Sequence, residues 1–248
     1  MYKWIGPHGP LELKNDEIHL WRADLDPYDM SALPAFTQTL APEERKKAGA
    51  LRSVLDRNRY ILARAALRNI LARYLQTTPD ELVFRYGPRG KPELAGGAVR
   101  FSVSHSHRFS VYAISRASDV GVDVERVRPG IEEDVAGSFF SIRALRYLKA
   151  LPQPARGRAF FQGWVRMEAC SKACGEGLTS SLETLDLFLA PRAPLLLSTP
   201  DNAEESSAWW LQDFFPRRGY VAALAARGWK RKLKYWTWQA DRVGGKTI

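Results

Sequence analysis

Hydrophobic positions along the chain change their period several times, and each change marks an element. In DEIHLWRADLD (16–26) Ile18 and Leu20 alternate with polar neighbours before Trp21, which predicts an early strand. From 41 to 75 the period becomes helical, in two pieces. Leu62, Ala66, Ile70 and Tyr74, joined by Leu67 and Leu71, form one apolar stripe, while Arg64, Arg68 and Arg73 point elsewhere. GPRGKPEL (87–94) reads as a turn, and 98–115 as two strands around a polar corner at Ser104–Arg108. DVGVDVERV (119–127) is the next strand, and 157–178 is a helix closed by Gly175 or Gly177. Short strands are expected at 183–188, 208–214 and 219–225, with a loop over 190–207 and a mobile tail over 239–248. No repeat shows at periods of 20–50 residues.

Composition narrows the class. A chain of 248 residues with 45% hydrophobic and 26% charged residues is a folded protein of one large or two small domains, not a disordered or fibrous one. The first residues lack a signal-peptide apolar region, and no run approaches 18 apolar residues. Cys170 and Cys174, four apart, suit one helix face better than a disulfide framework. These features together predict a cytoplasmic protein. Lys and Arg outnumber Asp and Glu by 37 to 27, a net +10, which implies an acidic partner unless the excess is merely solubilising. Nucleic acid, a phosphorylated small molecule and an acidic protein all qualify.

Two stretches carry candidate chemistry. In GVDVERVRPG (121–130) Asp123 and Glu125 lie two apart, on one face of a strand. Like charges held so close repel, and either a divalent cation or pairing with Arg126 and Arg128 relieves them. On the helix, Trp164, Glu168 and Lys172 follow at intervals of four, along one face. Glu168 and Lys172 then form a plain salt bridge, or they divide work on a phosphate between a metal and an ammonium.

The pieces occur together and in order: PEERKK and DRNRYILARAALR, GPRGKP (87–92), FSVSHS (101–106), GVDVERVRP (121–129) and WVRMEACSKACGEGL (164–178). In this combination the chain resembles the Sfp-type 4′-phosphopantetheinyl transferases over about residues 16–225. The resemblance implies an α+β fold of two similar halves related by a pseudo-twofold, with the active site in the cleft between them. The halves would cover 1–117, binding the nucleotide end of coenzyme A, and 118–238, carrying the metal site, before the tail at 239–248. It implies transfer of 4′-phosphopantetheine from coenzyme A to a serine of an apo acyl, peptidyl or aryl carrier protein, with release of adenosine 3′,5′-bisphosphate.

By position, Asp123, Glu125 and Glu168 would hold Mg²⁺, with Mn²⁺ as the alternative. Glu168, Lys172 and His105 would serve the transferred phosphate and the pyrophosphate. Lys47, Arg89, Gly90, Lys91, Pro92 and Ser104 match positions that hold the nucleotide end, Lys47 sharing its run with Arg45 and Lys46. A monomer is implied, since one chain carries both halves of the site.

The chain departs from the family at three positions. Met167, after Arg166, stands where the family usually has lysine; Ala144 stands where a glutamate helps deprotonate the serine; Ser102 replaces an asparagine. Met167 and Ala144 keep open a second reading, a coenzyme A or carrier binder with weak transferase activity. A third, a nucleic-acid binder, is motivated by the charge and by WKRKLKYWTW (229–238), although the acidic trio would repel phosphate without a metal. The mixed aromatic and cationic stretch 130–163 is the expected carrier-docking surface.

Overall fold

The computed structural model describes residues 2–7, 11–26, 30–88, 90–128, 142–175, 195–197 and 209–240. Strand β1 (Glu17–Asp24) is buried on both faces: Ile18 and Leu20 point one way, Trp21 and Ala23 the other. Helices α1 (Leu33–Gln38), α2 (Pro42–Ala50) and α3 (Val54–Leu75) follow. The last is capped where Ser53 Oγ accepts the Asp56 N–H at 3.2 Å, and its expected stripe is buried from Leu62 to Tyr74. Then come β2 (Phe84–Tyr86), β3 (Pro92–Leu94), β4 (Arg100–Ser106), β5 (Phe109–Ser115) and β6 (Val120–Arg126). The second part continues with α4 (Ile142–Ala150), α5 (Gln153–Cys174), β7 (Leu195–Leu197), β8 (Trp209–Phe214), β9 (Tyr220–Arg227) and β10 (Lys232–Trp238).

Two four-stranded sheets dominate, in the orders β10-β1-β5-β4 and β6-β9-β8-β7. Their cores share a connectivity. In each, a first strand (β1 or β6) pairs antiparallel with the second arm of a later hairpin (β4-β5 or β8-β9), and a 22-residue helix (α3 or α5) lies between them in sequence. One face of the first sheet packs on α3, and one face of the second on α5. The remaining faces meet, with Ile18, Leu20, Val111 and Ala113 against Val122, Val124, Phe214 and Leu224. The layers therefore run helix, sheet, sheet, helix, which is the mixed α+β class expected.

Several elements differ from the sequence reading. The turn at 87–94 includes β3, which pairs with β2. The loop at 190–207 contains β7, which pairs with β8. The strand at 183–188 and most of the tail fall outside the described residues. Helix α5 starts at Gln153, earlier than its apolar stripe, because Pro154 is tolerated in a first turn; it stops at Gly175, φ 73°. Strand β10, grouped by sequence with the second half, runs parallel to β1. The aromatic and basic residues that motivated nucleic-acid binding are used there by the fold. Trp236 and Trp238 pack into the first core, and Lys232 and Lys234 pair with Asp16 and Glu17 at 2.9 and 3.0 Å.

Candidate active site

Strands β4 and β6 are the outer strands of their sheets, and they lie side by side. On β6 the alternation seen in sequence becomes two environments. Val120, Val122 and Val124 enter the core between the sheets, while Gly121, Asp123 and Glu125 face α5. Gly121 sets how closely helix and strand approach. A Cβ there would lie 1.9 Å from the Ala169 carbonyl oxygen and 2.4 Å from the Ala173 amide nitrogen. Only a residue without a side chain permits this packing, which brings Glu168 and Lys172 beside Asp123.

Asp123 is nearly buried, at 4% exposure. Its Oδ1 accepts from Lys172 Nζ and from Ser104 Oγ, both at 2.6 Å. Its Oδ2 is buried with no hydrogen-bond partner. Glu125 Oε2 accepts from Ser106 Oγ at 2.6 Å. Burial raises the Glu125 pKa and the Asp123 charge adds to it, while Ser106, Arg128 and Lys172 oppose. Glu168 is raised for the same two reasons, with Lys172 opposing. Asp123 thus lies within electrostatic reach of both Glu125 and Glu168, and of the three carboxylates it is the one bonded to the Lys172 ammonium.

A cavity of about 360 Å³ adjoins this group, lined by Gly90, Lys91, Pro92, Phe101, Lys172 and Gly175 among others, a size typical of small-molecule sites. Lys91 reaches across it and donates to the Lys172 carbonyl oxygen at 2.6 Å, tying the loop before β3 to the end of α5. Burial lowers the Lys91 pKa. Gly90 has φ 77°, which glycine adopts without strain. The His105 ring is exposed to solvent, yet crowding by the groups around it lowers its pKa; Lys172 and Lys47 lower it further, and Asp123 opposes. Lys47 is exposed on α2 with its ammonium 5.5 Å from the Tyr60 ring centroid.

The structure thus brings Asp123, Glu125, Glu168, Lys172, Ser104 and His105 to one cleft, with Lys91, Gly90 and Pro92 at its cavity. Lys47 is placed near His105 by its field alone. Arg89 lies outside the described residues, as do Phe139, Phe140 and the Ala144 side chain. Among the described residues no three of His, Cys, Asp and Glu converge closely enough to hold a metal ion as they stand.

Met167, the departure on α5, and Arg166 before it turn away from the cleft. Arg166 is buried and donates through Nε to Asp213 Oδ1 at 2.8 Å, and it also bonds Asp213 Oδ2, which accepts from Gln162 at 2.6 Å as well. Met167 belongs to the core beneath the second sheet. The sequence reading missed Ser106 as a partner of Glu125 and the steric reason for Gly121. The alternation of Ser102, Ser104 and Ser106 was a legible signal for the first; nothing in one sequence announces the second. Among the described residues no helix is long and apolar enough to cross a membrane.

Comparison with known proteins gives a concordant result. Residues 119–225 match the family model described as the 4′-phosphopantetheinyl transferase superfamily. The chain is 33% identical over 240 residues to the 4′-phosphopantetheinyl transferase HetI of Nostoc, covering 95% of this chain and 98% of that one. It is 30% identical over 163 residues to the 4′-phosphopantetheinyl transferase psf-1 of Bacillus pumilus, covering 64% of this chain and 68% of that one.

Proposed function

The chain belongs to the 4′-phosphopantetheinyl transferase superfamily, and on that premise we propose how its cleft moves phosphopantetheine from coenzyme A to a serine of an apo carrier protein. The bond that forms joins the serine oxygen, its hydroxyl proton going to water, to the phosphorus bearing the pantetheine arm. The bond that breaks joins that phosphorus to the oxygen bridging toward adenosine, so adenosine 3′,5′-bisphosphate leaves. In phosphoryl transfer the transition state is largely loose, and catalysis rests on positioning and charge neutralisation. The cleft residues supply both.

Lys91, Gly90 and Pro92 line the cavity that suits the nucleotide end; Lys47 and Arg89 would add cations for its phosphates, and Ser104 would serve beside Asp123, to which it donates. Lys172 stands between that cavity and Asp123, placed to meet the pyrophosphate, and His105 donates from the opposite strand. The reading is carried by one observation: Asp123, bonded to the Lys172 ammonium through Oδ1, keeps its other oxygen buried and unpartnered, and its charge acts on both Glu125 and Glu168. Hard oxygen donors fit Mg²⁺ or Mn²⁺, and these three side chains would hold it. Such a cation would neutralise charge developing on the leaving bisphosphate.

The residue excess of +10 supports an acidic carrier as the second substrate, drawn in by its charge. We place the half that binds the nucleotide end at 1–117 and the half bearing the carboxylates at 118–238, the latter lending β10 to the first sheet. The enzyme acts in this reading as a cytoplasmic monomer. Incubation with coenzyme A, Mg²⁺ and an apo carrier, followed by intact mass, tests it. A carrier mass raised by one phosphopantetheine is expected, and no gain with any carrier class would overturn it.

A further inference from the structure

Ser102, Ser104 and Ser106 alternate along β4 with Phe101, Val103 and His105. Phe101 and Val103 pack into the core under α3, so the strand period turns the three hydroxyls toward β6. The two strands stay in step. Ser102 Oγ accepts the Val122 N–H at 3.0 Å, and Ser106 Oγ accepts the Arg126 N–H at 3.1 Å, four residues further on each strand. Between them, Ser104 donates to Asp123. Ser102 and Ser106 therefore cover the outer edge of β6, while Ser104 and Ser106 reach the carboxylates.

Ser106 does both with one group. A hydroxyl has one proton and two lone pairs. The Arg126 N–H engages a lone pair, which leaves the proton free to point at Glu125 Oε2, 2.6 Å away. The Glu125 carboxylate has a competing attraction, because the Arg128 charge acts on it from the end of the strand. A fixed donor on β4 decides that competition in favour of the cleft.

We propose that Ser106 is a positioning residue for Glu125, holding its carboxylate at the place where the cation for transfer binds. The inference rests on the reading of Glu125 as a cation ligand. Partners in the shell behind a metal's ligands orient them, and their loss weakens binding by about 10- to 100-fold. Ser102 supplies a control within the same ladder, since its hydroxyl meets a buried backbone N–H and its side chain lines the cavity, away from the carboxylates. Its loss removes a buried hydrogen bond without touching a carboxylate.

The test titrates Mn²⁺ into the full-length protein with coenzyme A held saturating for each variant, free ion being read by electron paramagnetic resonance and melting temperature in parallel. Ser106→Ala should weaken Mn²⁺ binding by about tenfold or more, and Ser106→Thr, which keeps the hydroxyl, should restore it to within about threefold of wild type. Ser102→Ala should lower the melting temperature and leave Mn²⁺ binding unchanged. Wild-type Mn²⁺ affinity in Ser106→Ala would overturn the proposal. So would a Ser102→Ala protein that loses as much affinity as Ser106→Ala, because the effect would then be structural. Glu125→Ala separates the two levels of the argument: normal Mn²⁺ binding in that variant overturns the assignment of Glu125 itself.

Discussion

Adding a single methyl group at Gly121 should disable the site from a distance. The Cβ of Gly121→Ala would lie 1.9 Å from the Ala169 oxygen, 2.4 Å from the Ala173 nitrogen and 3.0 Å from the Ala169 carbonyl carbon. All three are backbone atoms of α5, so no side chain can rotate out of the way. Carbon and oxygen approach to about 3.3 Å at closest, so the helix must retreat by about 1.4 Å near Ala169. Lys172 lies one turn beyond, and its 2.6 Å bond to Asp123 would stretch beyond hydrogen-bonding range. Glu168, adjacent to Ala169, moves with it. Displacement of about 1 Å in a catalytic constellation costs on the order of 10²-fold in rate. Overpacking itself costs about 1–3 kcal/mol, which in a protein of this size lowers the melting temperature by roughly 2–12 °C. The assay is phosphopantetheine transfer to an apo carrier by intact mass, with thermal unfolding by circular dichroism. Gly49→Ala is the matched control. Gly49 is exposed inside α2 with nothing within 4 Å of an added Cβ, so this change should stabilise by about 0.5–1 kcal/mol and leave transfer intact. A Gly121→Ala protein equal to wild type in both melting temperature and rate would refute the packing argument.

Asp123→Ala or Glu168→Ala should abolish transfer with the fold intact, Glu125→Ala should hurt less, and wild-type transfer by the Asp123 variant would remove it from the site. Lys91→Ala should raise the KM for coenzyme A more than it lowers kcat, and Lys172→Ala the reverse, because the nucleotide end changes little during reaction; steady-state kinetics with varied coenzyme A decides. Asp213→Ala removes the carboxylate paired with the buried Arg166 guanidinium and should destabilise by about 3–5 kcal/mol, measured by urea unfolding. His19 is fully buried, and burial lowers its pKa to about 4. Since the unfolded chain then binds the extra proton more readily, this contribution is fully present at neutral pH. It falls away from about pH 6.5 down to 4, by about 3 kcal/mol in all. His19→Asn should flatten that acid limb of the stability profile, and an unchanged slope would exclude His19 as its source.

Part of the order of elements and the faces that carry the candidate residues were legible in the sequence, because they depend on local period and on residue type. Alternation in 119–127 separates Val122 and Val124 from Asp123 and Glu125 whatever the partner strands are, and the four-residue spacing of Glu168 and Lys172 follows from helix geometry alone. The capped start of α3 and its buried stripe are local in the same sense. Sheet partnership is not. That β10 lies parallel to β1, more than 200 residues away, depends on which faces remain apolar once both sheets have formed. The same holds for the meeting of β4 and β6, where hydroxyls of one strand serve amides and carboxylates of the other. Residues such as Met167 and Arg166 show the limit most clearly. Met167 stands where the family has a lysine, directly before Glu168, yet the rotation of α5 about its axis turns it into the core and turns Arg166 onto Asp213. Sequence determines which side chains a face carries; only the packing of α5 on β6, set by the missing Cβ of Gly121, decides which face meets Asp123.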